Sequence, residues 1–318
     1  MNNQNLSTLF KTTLLASAMA TVVGCSDNKV PGAETKNITI ADPAVNCDTV
    51  MVGTAAANRV RDGFYEVGES ATGKLKATGC KDTVSGADIG DMASDGDFND
   101  DGDGNETMTP VTTLIESIEA SGQSPERARE IAAQALGVTD ADLDKQPVES
   151  LALQRAAANV VNLVQLVSDQ GGDPADALKK IAKNLADNNS GATTKTLADT
   201  MQDDELLDDV LSTVPDAKKA VVKAATKNAS TVIQNATTPA QAVAVNKYVK
   251  DTLSKNITNG TVTEGNGPSI TEITNASANI ASEIESKVVA VSNSSGTTAA
   301  AATGTGGTTN TGTTTGGN

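Results

Sequence analysis

The 318-residue chain has no histidine and no tryptophan, and only five aromatic side chains, two Tyr and three Phe. Without imidazole there is no Ser-His-Asp triad, no Cys-His pair, no His-ligated zinc and no His-ligated haem. Any catalysis has to run on carboxylates, Lys, Tyr or a hard metal ion. Positive charge is scarce too: 24 Lys and Arg stand against 40 Asp and Glu, a formal net charge of −16 with a pI near 4.4. No nucleic-acid partner is expected, because phosphate neutralisation needs Lys and Arg and single-strand binding needs aromatic stacking. The same scarcity ranks a glycan hydrolase with paired carboxylates last among the functions weighed. Sugar sites present aromatic platforms, and beyond the leader the chain has only Phe64, Tyr65, Phe98 and Tyr248. The expectation is a protein that is not an enzyme. Hydrophobic residues make up 38%, mostly Ala, Val and Leu, enough for a thin core. No stretch reaches 18 apolar residues, so no membrane-spanning helix is expected.

What is present begins with a leader. Lys11 precedes the largely apolar run Leu14 to Val23, too short to span a bilayer, which is the pattern of a signal peptide over residues 1–24. At its end Val22-Val23-Gly24-Cys25 resembles the lipobox of bacterial lipoproteins, with Val22 where Leu is usual. That resemblance implies that Cys25 receives a diacylglyceryl group before cleavage and that residues 25–36 form a lipidated linker. Two or more acyl chains such as palmitate hold a protein stably on a membrane, where one chain binds only marginally. The alternative is an ordinary secretory signal with a coincidental Cys. Ser26 follows the cysteine rather than the Asp of inner-membrane retention, so the outer membrane of a bacterial envelope is the favoured destination. Asp27, one place later, leaves the inner membrane open. Loss of Lys11 with the leader leaves 23 basic against 40 acidic side chains, a charge of −17.

Two further cysteines remain, Cys47 and Cys80. In an oxidising periplasm or at a cell surface an isolated pair reads as a disulfide. A metal site or redox pair lacks its usual company, since there is no Cys-x-x-Cys and no His.

After a polar leader, the segments Asn37 to Ala41, Thr49 to Gly53, Gly63 to Val67 and Lys74 to Thr78 alternate apolar and polar residues, with Asp62-Gly63 and Thr78-Gly79 as turn signals. Residues 37–90 are therefore expected to form a small β-rich module. Beyond Thr109 the texture becomes Ala-rich and helical. Thr109-Pro110, Ser124-Pro125, Asp173-Pro174 and Thr238-Pro239 each set a capping side chain before Pro at the first helical position, and Gly122, Gly137 and Gly171-Gly172 supply stops. The pattern predicts helices over 110–121, 125–136, 148–169, 174–187, 193–212 with a break, 215–235, 239–257 and 269–291, within a helical domain over 109–292. The stretch from Val148 to Val167 is apolar nearly all round and is expected to be the central helix. Lys218, Lys219, Lys223, Lys227, Lys247, Lys250 and Lys255 are read as a solvated face. Residues 293–318 carry no charge and no large apolar group and are expected to be a disordered Thr/Gly-rich tail. The fold class predicted is mainly α: an Ala-rich helical bundle preceded by a small disulfide-linked β-rich module.

One constellation suits a cofactor. From Asp91 to Glu106 there are seven acidic residues and no basic one. Asp95, Asp97, Asn99, Asp101 and Asp103 recur at every second position, and with Asn105 and Glu106 they form a candidate oxygen-ligand set for Ca2+ in residues 91–108. Asp97-x-Asn99-x-Asp101-Gly102 fits the first half of an EF-hand loop, while the twelfth position is Met108 rather than Glu. An acidic solvated linker carries equal weight.

The run Ala77-Thr78-Gly79-Cys80-Lys81-Asp82-Thr83, the Asp-rich loop, Met108-Thr109-Pro110-Val111-Thr112-Thr113-Leu114-Ile115, then Ser124-Pro125-Glu126-Arg127-Ala128 leading to Ala135-Leu136-Gly137-Val138, resembles a modular arrangement of bacterial envelope and surface proteins. There a small β module precedes a Thr-Pro-Leu-Thr-Thr-Leu type element and a helical segment; here Val111 replaces Leu and Cys80 stands where Gly is common. The match covers residues 37–170. It implies an envelope context with a structural or binding role and carries no catalytic residue. Two functions are expected to compete: a non-enzymatic lipid-anchored envelope protein that binds a partner or ligand, and an accessory lipoprotein of an outer-membrane transport or uptake system. In the second, the partner is an outer-membrane protein and the cargo a hydrophobic substrate.

Overall fold

Alternating apolar and polar side chains draw the described residues between 35 and 108 into nine strands: β1 (Thr35–Ile40), β2 (Val45–Asn46), β3 (Thr49–Val52), β4 (Ala55–Ala56), β5 (Asn58–Arg61), β6 (Phe64–Gly68), β7 (Lys74–Asp82), β8 (Asp88–Asp97) and β9 (Asn105–Met108). The structure is a computed structural model and describes residues 35–98, 105–189, 194–263 and 266–295. The first sheet has the order β5-β6-β1-β9, antiparallel except for the β1–β9 pair, which runs parallel from Asn37 opposite Asn105 to Ile40 opposite Met108. In the second sheet β7 is the spine. β2 and β3 pair along one of its edges and β8 along the other, and β4 extends the sheet beyond β3.

The alternation in β7 changes phase at Gly79, so that Leu75 and Ala77 before it and Cys80 and Asp82 after it are all buried. One extra residue does this, as in a β-bulge. Gly79 has φ +63, a left-handed conformation that favours glycine, and a Cβ there would lie 2.3 Å from Asp48 Oδ2 and push that side chain aside. Thr78-Gly79, expected to be a turn, is therefore a bulge inside a longer strand. β8 was not expected at all. Its sequence, DIGDMASDGD, is rich in Asp and Gly, which are depleted in strands, but Ile89, Met92 and Ser94 point inward and pairing with β7 outweighs local preference.

The helices are α1 (Pro110–Ala120), α2 (Pro125–Leu136), α3 (Leu151–Asp169), α4 (Pro174–Asn188), α5 (Leu197–Thr200), α6 (Asp204–Val210), α7 (Asp216–Gln234), α8 (Pro239–Tyr248), α9 (Ser254–Thr258) and α10 (Ile270–Ser295). Thr109, Ser124, Asp173 and Thr238 cap α1, α2, α4 and α8 with Pro next in line, and Gly137 ends α2 in the left-handed region. The span predicted as one helix over 239–257 is interrupted by a π-helical turn, Val249–Leu253. The span predicted from residue 148 opens with a 3₁₀ turn at Pro147–Glu149 before Ser150 caps α3.

α3 is buried nearly all round, as its sequence predicts, and packs on α1, α4, α7, α8 and β8. Its Val161 joins the apolar core of the strands, with Ile38, Leu75, Ala77, Ile89, Met92 and Met108. This overturns the mainly α assignment. The described residues are 56% helix and 19% strand, and the strands form two sheets that share core with the helices rather than a small appended module. The fold is α+β with segregated elements. The physical reason is that a sheet must bury a face, and here β8 buries it against α1 and α3. The leader, the linker to residue 34 and the tail beyond Ser295 lie outside the described residues.

Candidate functional site

Where β8 meets α1, α3 and α4 the packing leaves a cleft of about 420 Å³. Its floor is apolar, formed by Ile89, Met92, Val160, Val164 and Leu178. Gly90, at φ +81, sits between two of these residues in β8, and a Cβ there would stand 3.5 Å from Val164 Cγ1. Oxygen-bearing groups complete the wall: Asp91, Thr113, Ser117 and Asp173, with no Lys or Arg in the lining. Asp173 is also the cap of α4, its Oδ1 accepting from Ala175 N at 3.0 Å and Asp176 N at 3.2 Å. Asp91 Oδ1 accepts from Gly79 N at 3.3 Å. The arrangement suits a compact apolar group whose polar end donates hydrogen bonds or carries positive charge.

The seam between strands and helices is held by side chains far apart in sequence. Gln165 Oε1 accepts from Asp88 N at 2.7 Å, Lys250 Nζ lies 3.2 Å from Asp88 Oδ2, and Thr112 Oγ1 donates to Ala93 O at 3.1 Å. Lys74 Nζ is paired with Glu116 and, at 3.2 Å, with Glu119 Oε2. Deepest in this seam are two carboxyl groups, Asp42 in the turn after β1 and Asp82 at the end of β7, both fully buried. Burial, reinforced by the neighbouring Asp82, raises Asp42 well above the usual carboxylate range. Burial likewise pushes Asp82 up to about 7, against the hydrogen bonds from Ser85 and Val84 and the field of Lys247. Sealed from solvent, neither can meet a substrate.

Of the residues singled out from the sequence, Cys47, just after β2, and Cys80, in β7, are joined by a disulfide, 33 residues apart. Cys25 lies outside the described residues, as do Asn99, Asp101 and Asp103. Asp95 and Asp97 stand in β8, and Asn105 and Glu106 in β9, where Glu106 is opposite Ile38. Asp95 Oδ2 is 2.6 Å from Arg129 Nη1, whose guanidinium also meets Asp140 and Asp144 at 2.9 Å each. Among the described residues no three His, Cys, Asp or Glu side chains gather as a metal site. The Lys residues read as a solvated face are largely pinned in ion pairs: Lys219 to Asp216, Lys223 to Asp208, Lys227 to Asp204, Lys247 to Asp251 and Lys250 to Asp88.

Asp42, Asp82, Gln154 and Arg129 escaped the sequence reading. For Gln154 a signal existed, since an amide on a helix apolar nearly all round has to find a polar partner. Two other buried amides do not: Asn162 on α3 and Asn246 on α8, helices in mutual contact, each have both amide atoms unpaired among the described residues. Replacing Asn246 by Leu, of similar size, is expected to raise the unfolding free energy by about 1 to 2 kcal/mol, because an unsatisfied buried amide is exchanged for apolar contact. Denaturant unfolding checks this, and a destabilised variant would show that the amide has a partner.

Comparison with known protein families, with curated proteins and with solved structures finds no match for this chain.

Proposed function

We propose that this chain is a non-enzymatic lipoprotein of a bacterial envelope, tethered through Cys25, whose folded body takes up the apolar part of a ligand in the cleft between β8, α1, α3 and α4. The cleft is the observation that carries the binding half of this reading: an apolar floor with acceptor groups on its wall and no competing cation. The anchoring half rests on Lys11, the apolar run to Val23 and the Val22-Val23-Gly24-Cys25 sequence. The Cys47–Cys80 disulfide supports it, because such cross-links persist in oxidising compartments. A second reading, an accessory lipoprotein that passes a hydrophobic substrate to an outer-membrane protein, draws support from the apolar floor of the same cleft.

Two experiments test the two halves. In cells fed labelled palmitate, the wild-type protein is expected to carry label and to sediment with membranes, and Cys25→Ala to carry none and to become soluble. The purified body is expected to bind an apolar dye such as Nile red saturably. Ala175→Trp, which places an indole from an exposed rim position into the cleft, is expected to abolish that binding without lowering stability. Unlabelled wild type ends the anchoring proposal. Dye binding unchanged by Ala175→Trp ends the ligand proposal.

A further inference from the structure

The turn after β1 buries Asp42 completely against α3, 112 residues downstream, where Gln154 Nε2 donates to Asp42 Oδ1 at 2.8 Å. Each of these two side chains has one polar atom left, Asp42 Oδ2 and Gln154 Oε1. Both atoms are buried, and neither has a hydrogen-bond partner among the described residues. If Asp42 is ionised, both are acceptors and cannot bond to each other. A single proton on the carboxyl changes that, since a carboxylic acid and a primary amide each offer one donor and one acceptor in matching order.

Asp82 from β7 is the titratable group that faces Asp42, and Lys247 from α8 in turn faces Asp82. Asp82 already accepts from Val84 N at 2.8 Å, from Ser85 N at 3.2 Å and from the Ser85 hydroxyl. Lys247 is itself paired with Asp251 at 2.7 Å. With three donors and a cation facing it, Asp82 is the member of the pair that ionises first, and its charge opposes a second one on Asp42.

We propose that Asp42 carries a proton in the folded protein and closes a ring of two hydrogen bonds with the Gln154 amide, a latch between the strands and the central helix that opens when the proton is lost. In opening, the O–H bond of Oδ2 breaks, its proton passes to water or hydroxide, and the electron pair stays on a carboxylate that keeps only the bond from Nε2. The device makes the protein a pH sensor. Carboxyl groups in an unfolded chain ionise near pH 4. The folded chain holds Asp42 and Asp82 protonated to higher pH, with Asp82 ionising at about 7. The folded state therefore binds the extra protons above about pH 4, and stability falls as pH rises from there through about 7 and beyond. This inference does not depend on the ligand or the anchor.

The decisive variant is Asp42→Asn, whose amide reproduces the donor and acceptor of the protonated acid but cannot titrate. In thermal unfolding of the full chain the wild-type melting temperature is expected to fall by about 5 °C or more between about pH 5 and pH 8, and that of Asp42→Asn by less than half as much. Difference infrared spectroscopy at about pH 8, above the ionisation of Asp82, is expected to show a protonated-carboxyl band in wild type and in Asp82→Asn that is largely absent from Asp42→Asn. The wild-type band tests the idea even if a variant does not fold. Absence of that band in wild type, or equal pH slopes, overturns the latch. Millimolar Ca2+ that raises the melting temperature of wild type but not of Asp42→Asn also overturns it, because a cation rather than a proton would then fill the gap.

Discussion

Replacing Cys47 and Cys80 together by serine is expected to lower the unfolding free energy by about 3 to 4 kcal/mol, the chain-entropy value for a cross-link of this span. The disulfide closes 33 residues that include β3 to β6 and the turns between them. Those strands are short, and β4 has only two residues, so few ladder hydrogen bonds oppose the entropy of that segment. The cross-link sits at a crowded point: Cys80 is buried just after the Gly79 bulge, and Cys47 N donates to the Tyr65 hydroxyl at 2.8 Å, tying the second sheet to the first. Loss of the bond thus loosens both sheets. Denaturant unfolding of oxidised, reduced and double-serine protein checks this. The reduced and double-serine forms are expected to unfold together and well below the oxidised form; three coincident curves would show that the strands hold without the cross-link.

Arg129→Met is expected to cost about 2 to 3 kcal/mol. Arg129 meets Asp95 of β8 and, beyond α2, Asp140 and Asp144. Methionine keeps the apolar stem but leaves three carboxylates close together. Removing one partner of a well-buried pair typically costs about 3 to 5 kcal/mol. The estimate here is lower because Asp140 and Asp144 are each 67% exposed and water screens them, whereas Asp95 is only 11% exposed. It follows that Asp95→Asn should cost more than Asp140→Asn or Asp144→Asn, each of which is expected to stay within about 1 kcal/mol. Raising the salt concentration should narrow the gap between wild type and Arg129→Met as the exposed carboxylates are screened. If the arginine variant unfolds within about 0.5 kcal/mol of wild type, the cage is a surface arrangement without structural weight.

The acidic run from Asp91 illustrates how one segment divides between what composition suggests and what packing assigns. Read alone, its carboxylates at every second position form a chelating loop or a solvated linker. In the fold its first half is a strand, and Asp95 faces a guanidinium supplied 34 residues later. Nothing local to residues 88–97 announces that strand, because its stability comes from the ladder with β7 and from Ile89 and Met92 reaching the core. The helices show the opposite case. Thr109-Pro110, Ser124-Pro125, Asp173-Pro174 and Thr238-Pro239 locate four helix starts without any knowledge of the tertiary structure.

Sequence by itself determined four helix starts, the central place of α3 and the pairing of Cys47 with Cys80. These depend on capping side chains, on a 3.6-residue apolar period and on there being only two candidate thiols in the body, all of which are local or countable. Tertiary structure alone decided that the fold is α+β, that Gly79 is a bulge, that the cleft lies between β8 and the helices, and that Asp42 meets Gln154 112 residues away. Each of those depends on contact between segments distant in the chain, where burial and hydrogen bonding, rather than the preference of any single residue, set the outcome.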